Sequence, residues 1–108
     1  MLEVTFYRDG HDRFAGISAH GHVDFAEHGQ DIVCAAVSGI LQAARLGLEH
    51  YGRGDLTAFQ QDGEFDVMLD DGRRDLESTA AIMMTAELAV TQVARRFPEH
   101  VSVAREKV

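Results

Sequence analysis

The chain has a single cysteine, Cys34, so it can close no disulfide within itself. That argues against the stapled scaffold of small secreted proteins and makes a reducing cytoplasm the expected setting. Tryptophan is absent, and Pro98 is the only proline. The opening "MLEVTFYRDG" lacks the basic and apolar segments of a signal peptide. No apolar run in the raw sequence approaches the roughly 18 residues of a membrane span, so no membrane partner is expected. Basic residues are scarce: 10 Lys and Arg stand against 18 Asp and Glu, for a net charge of -8. Such a surface is ill-suited to gripping nucleic-acid phosphates, and no direct nucleic-acid partner is expected. It suits a basic protein or peptide partner, or serves solubility alone.

What is present fits one domain spanning residues 1–108, with 45% hydrophobic residues to build a modest core. "LEVTFYR", residues 2 to 8, alternates Leu2, Val4 and Phe6 against Glu3, Thr5 and Tyr7, the pattern of a half-buried strand. "DGHD" is a turn, and residues 13 to 20 read as the returning strand, weakened by Gly16. Residues 23 to 30 have no clean period and read as a loop. From Asp31 to about Tyr51 the pattern is helical, with Val33, Val37, Ile40, Leu41, Ala44 and Leu48 at three- and four-residue steps. Asp31 is the expected N-cap, and Gly52 and Gly54 the stop.

Residues 57 to 69 read as a hairpin around Asp62-Gly63, followed by a turn at "DDGRRD". A second helix is expected from about Leu76 to Arg96, capped by Asp75 or Ser78 and ended before Pro98. Residues 101 to 105 can form a last strand. The order β-β-α-β-β-α-β implies an α+β fold: a small mixed or antiparallel sheet with two main helices. The second helix is apolar on more than one stripe, so it is either deeply sandwiched or leaves a face for a second copy of the chain.

Cys34 falls near the start of the first helix. With Asp31 as N-cap it would sit in the first turn, where free N–H groups and the helix dipole favour a thiolate and can hold an oxyanion. The Asp31 charge opposes this in part. A nucleophilic cysteine needs a base, and His20 or His22, at the end of the preceding strand, can approach from the other side of the loop. His28 lies in the loop itself. Two other readings stand beside this one. Free cysteines are commonly inert core residues, and Cys34 lies at the edge of the apolar stripe. The string "HGHVD" also offers His20, His22 and Asp24, with Cys34 following, as a zinc set. Phe25 stands where the fuller H-x-H-x-D-H pattern of metallo-hydrolases has its last histidine.

"GH" at Gly21-His22, an aromatic at Phe25, and then "GQDIVCAAVS" from Gly29 to Ser38 resemble the ribosomal-processing cysteine proteases. Their pattern runs Gly-His-Ala, a short loop, then Gly-x-Asp-Ile-Val-Cys-Ala-(Ala or Gly)-Val-Ser. The resemblance implies a small α+β homodimer, and no cofactor is expected. It implies a Cys-His dyad, with Cys34 as nucleophile and His22 as general base. The substrate it implies is a large-subunit ribosomal protein, the twenty-seventh of that series, cut after a short N-terminal extension during ribosome assembly. Gly21, Phe25, Gly29, Asp31 and Ser38 match supporting or substrate positions. Gly29 would be a loop hinge, Asp31 a cap or an orienter of His22, and Ser38, one turn past Cys34, a substrate contact or a brace for the first turn. Val23 departs from the usual alanine, which bears on the exact sequence recognised. A zinc-binding protein using His20, His22 and Asp24, or a non-catalytic ribosome-associated dimer, are the alternatives.

Overall fold

The alternating Leu2, Val4 and Phe6 do form a strand, β1 (Leu2–Arg8), and their side chains are buried while Glu3 is exposed. It pairs antiparallel with β2 (Phe14–His20), with Val4 opposite Ala19 and Phe6 opposite Ile17. The computed structural model describes residues 1–21, 28–52, 56–61 and 63–108, and the side chains of these except at 28–31. Helix α1 (His28–Tyr51) follows, then the hairpin β3 (Leu56–Gln61) and β4 (Glu64–Leu69). A single turn of helix, α2 (Asp71–Arg74), precedes the long α3 (Glu77–Arg96) and the last strand, β5 (Val101–Lys107).

The sheet order is β3-β4-β2-β1-β5. All pairs are antiparallel except β1 with β5. The fold is thus α+β with a mixed sheet. Its helix-facing side carries Val4, Phe6, Ile17, Ala19, Phe65, Val67, Leu69 and Val101. Val33, Val37, Leu41, Ala44 and Leu48 of α1 and Met83, Ala86 and Val90 of α3 close the same core. Each large aliphatic side chain buried this way contributes roughly 1.5–3 kcal/mol of transfer free energy.

Four expectations change. "DDGRRD" is not a plain turn: Arg73 and Arg74 bind carbonyls of Leu48 and Leu69, which winds the segment into α2. Neither Asp75 nor Ser78 caps α3; Leu76 holds the cap position, and the Asp75 carboxylate is taken by Arg13 at 3.0 Å. The helix α3 is not sandwiched, for Met84 and Leu88 on its outer side are 40% and 61% exposed. Ile32–Tyr51 is, by length and composition, apolar enough to cross a membrane. Its apolar stripe instead covers the sheet, as a core helix does.

Gly16 does more than weaken β2. A Cβ there would lie 2.5 Å from Met68 Sδ and 2.6 Å from the Val67 carbonyl oxygen. The close approach of β4 to β2 therefore requires glycine.

Candidate active site

The first helix carries two stripes. One is the apolar row Val33, Val37, Leu41, Ala44, Leu48 that seats the helix. Beside it run Cys34, Ser38 and Gln42 at steps of four, one above the other on a single helix face. This second stripe borders a cleft of about 290 Å³. The opposite wall comes from the strand ends: Ala19 and Gly21 after β2, and Gln60, Gln61, Gly63, Glu64 and Phe65 from the β3–β4 hairpin. Leu2 closes the floor.

Cys34 is neither sealed in the core nor fully exposed; the thiol is half-buried and lines the cleft. Ser38 is exposed on the same wall. Gln60 is held against the helix by Arg45, whose guanidinium donates to Gln60 Oε1 at 3.1 Å. Arg45 also pairs with Glu49 one turn on, at 2.9 Å. The cleft thus presents a thiol, a hydroxyl, three side-chain amides and one carboxylate around an apolar floor. That set can hold a peptide backbone and offer it a nucleophile.

Gly21 sets the direction in which the chain leaves the sheet. Its φ is +82°, a conformation that glycine adopts freely and other residues do not. Its N–H donates to the Gly63 carbonyl at 3.1 Å, pinning the end of β2 to the hairpin turn. A Cβ at this position would collide with the Met1 carbonyl oxygen. His22, Asp24 and Phe25 lie outside the described residues.

The helix begins earlier than its sequence suggests. Asp31 is not the N-cap, because α1 starts at His28; Asp31 is its fourth residue and Gly29 its second. With no proline to stop it, the helix extends back through residues that read as loop. Gly29 thus stands inside the first turn, not at a hinge between loop and helix. Cys34 moves from the first turn to the second, beyond the four N–H groups that lack intrahelical acceptors.

His20 goes the other way. Ala19 faces the helices, so the next residue faces the far side of the sheet. There the His20 side chain is 57% exposed and its Nδ1 lies 3.5 Å from Glu3 Oε2. It shares no site with Cys34. Among the described residues no three of His, Cys, Asp or Glu gather to hold a metal.

Sequence reasoning finds Cys34, Ser38 and Gly21 but passes over Gln42, Gln60, Gln61 and Glu64. Gln42 had a signal, since it continues the Cys34–Ser38 step. The hairpin residues had none, because only the strand order brings β3 and β4 next to β2.

Comparison with known proteins gives this arrangement a context. The family model of the cysteine protease Prp matches residues 1–102. The ribosomal processing cysteine protease Prp of Bacillus subtilis (strain 168) is 39% identical over 44 residues. That match spans 41% of this chain and only 39% of the B. subtilis protein. The crystal structure of SMU.848 from Streptococcus mutans superposes with a TM-score of 0.85 at 26% identity, covering 100% of this chain and 99% of that one. An essential ribosomal processing protease Prp from S. aureus, solved with a substrate peptide and with a covalently linked product peptide, has the same fold. Its TM-score is 0.81 at 20% identity, over 97% of this chain and 99% of that one. With a family match that runs from Met1 through the cleft to the last strand, the chain belongs to the Prp family of cysteine proteases.

Proposed function

We propose that the chain is a cysteine endopeptidase that removes a short N-terminal extension from a large-subunit ribosomal protein, the twenty-seventh of that series. The observation that carries this reading is the placement of the only cysteine, half-buried on a polar-walled cleft. An inert core cysteine would be closed in; this one opens where a peptide can lie.

The dyad is Cys34 and His22. His22 takes the proton from Cys34 Sγ as the sulfur attacks the carbonyl carbon of the scissile bond. The tetrahedral intermediate collapses, the C–N bond breaks, and the His22 proton goes to the leaving amine. A thioester remains on Cys34. Water, losing a proton to His22, hydrolyses it, and the thiol is restored. No step needs a cofactor. Ser38, Gln42, Gln60 and Gln61 supply the donors and acceptors that hold the peptide backbone. Gly29, Phe25 and Asp31 support the substrate-facing segment.

The acidic surface, net charge -8, favours a basic ribosomal-protein terminus and speeds its encounter. The cytoplasm, where ribosomes are assembled, is the proposed compartment. The exposed Met84 and Leu88 of α3, with the apolar furrow between Ile40, Ala43, Ala81 and Ala89, support a homodimer through the helices.

The test is incubation with the host's own ribosomal protein, reading its new N-terminus by mass. Cys34→Ala should abolish cleavage and keep the folded circular-dichroism spectrum, since little volume is lost. A Cys34→Ala enzyme that still cuts would end the protease reading.

A further inference from the structure

Among the described residues the sheet has two open edges, β3 and β5, and they are built differently. The β5 edge ends in Arg105, Glu106 and Lys107, the charged kind of edge that natural sheets use to refuse another strand. The β3 edge, "LTAFQQ", has no charge and no proline. Among the described residues its only strand partner is β4. Thr57, Phe59, Gln60 and Gln61 are all exposed. This unguarded edge runs directly into the cleft, since Gln60 and Gln61 line the same walls as Cys34.

The hairpin register says which backbone groups are unpaired. Gln61 pairs with Glu64 across a two-residue connection. In such a hairpin the closing pair is hydrogen-bonded across the two strands, and the pattern alternates from there. The N–H and C=O of Gln60, Ala58 and Leu56 therefore point outward, away from β4. They form a template three residues long for an extended chain.

We infer that the outer edge of β3 takes the extended substrate as a sixth strand and delivers its scissile bond to Cys34. The occupant is an extended, basic peptide segment. Backbone pairing supplies its affinity, and the acidic side chains of β4, Glu64 and Asp66, favour its charge. The inference deepens the proposed protease reading and rests on it for the identity of the peptide.

Two measurements test it, both with a synthetic peptide of the extended ribosomal-protein terminus. In the first, amide exchange is followed in the Cys34→Ala protein, which cannot turn the peptide over. Peptide should slow exchange at Gln60, Ala58 and Leu56 and leave β5 unchanged. In the second, single N-methyl groups are walked along the peptide. Cleavage by the wild-type chain should fall about tenfold at every second position, because alternate amides face the partner strand. Ala58→Pro should raise KM about tenfold with kcat nearly unchanged, because the lost N–H serves only the incoming strand. Cleavage without alternation overturns the edge and leaves the protease standing. Protection at β3 without any cleavage keeps the edge and sinks the protease. Amides at β3 already slow in the free protein would mean another occupant, such as a second copy, and would overturn the inference.

Discussion

His20 and Cys34 stand on opposite sides of the sheet. Ala19 turns toward the helices and the cleft, and His20, one residue later, turns toward Glu3 on the outer face. The strand stops at His20, and Gly21 bends the chain at φ +82°. The His20 imidazole therefore lies away from the cleft that Cys34 lines. His20→Ala is expected to leave kcat/KM within about twofold and its pH profile unmoved, as for a surface substitution. His22→Ala is expected to remove the activity by about three orders of magnitude or more, by loss of the base. The pH dependence of kcat/KM for both variants checks this. A moved acidic limb in His20→Ala would assign the base to the wrong histidine.

Gly21 invites a second test. A non-glycine residue at positive φ costs roughly 1–2 kcal/mol, and here a Cβ also meets the Met1 carbonyl oxygen. Gly21→Ala should lower the melting temperature by roughly 5–10 °C. It should also lower kcat more than stability alone explains, because Gly21 immediately precedes the proposed base, His22. Melting curves and single-turnover rates, taken below the melting transition, separate the two effects. Deleting Met1 from the Gly21→Ala chain isolates the steric part: if the collision is the cause, removing that carbonyl should restore part of the loss.

Much of this arrangement was legible in the residues. The alternation of Leu2, Val4 and Phe6 gave β1 its bounds, and the spacing of Val33, Val37, Leu41, Ala44 and Leu48 identified the buried stripe of α1. The near-identity from Gly29 to Ser38 marked Cys34. The start of α1 is hard to read because Asp31 is a good cap in isolation, while the residues before it carry no stop signal. Helix α2 escapes a local reading because its cause is tertiary: Arg73 and Arg74 bind carbonyls in other elements. The glutamines of the cleft were invisible for the same kind of reason, since β3 and β4 reach it only through strand order.

The far end of the molecule predicts acid sensitivity. Asp9 is buried, and that burial works to raise its carboxyl pKa. Hydrogen bonds outweigh it: the Arg13 N–H and guanidinium, the His11 N–H and the Arg74 guanidinium all stabilise the anion. The carboxyl is held well below its ordinary 3.8. A depressed pKa stabilises the fold above the unfolded value and loses that contribution as pH falls toward the folded one. The difference in melting temperature between wild type and Asp9→Asn should be largest above pH about 5 and shrink as pH drops from about 4 toward 2. A difference independent of pH would show that the Asp9 charge is not what ties the β1–β2 turn to α2.

Arg73 is buried, and its loss should be felt in α1. Its guanidinium donates to the Leu48 carbonyl oxygen at 2.7 Å, an acceptor that the last turn of the helix shares with the Gly52 N–H. A positive group there suits the negative end of the helix dipole. The space it fills is the reason residue 52 is glycine: a Cβ at Gly52 would overlap the guanidinium and the Leu48 carbonyl. Arg73→Met keeps most of the volume and removes the charged donor, at a cost of about 2 kcal/mol, or roughly 10 °C in melting temperature. Arg73→Lys should recover little, because one ammonium cannot reproduce the planar fork. Because the contact is far from the cleft, kcat/KM measured well below the transition should stay within about twofold for both variants. A large loss of activity with an unchanged melting curve would mean that Arg73 acts on the site and not on the end of α1.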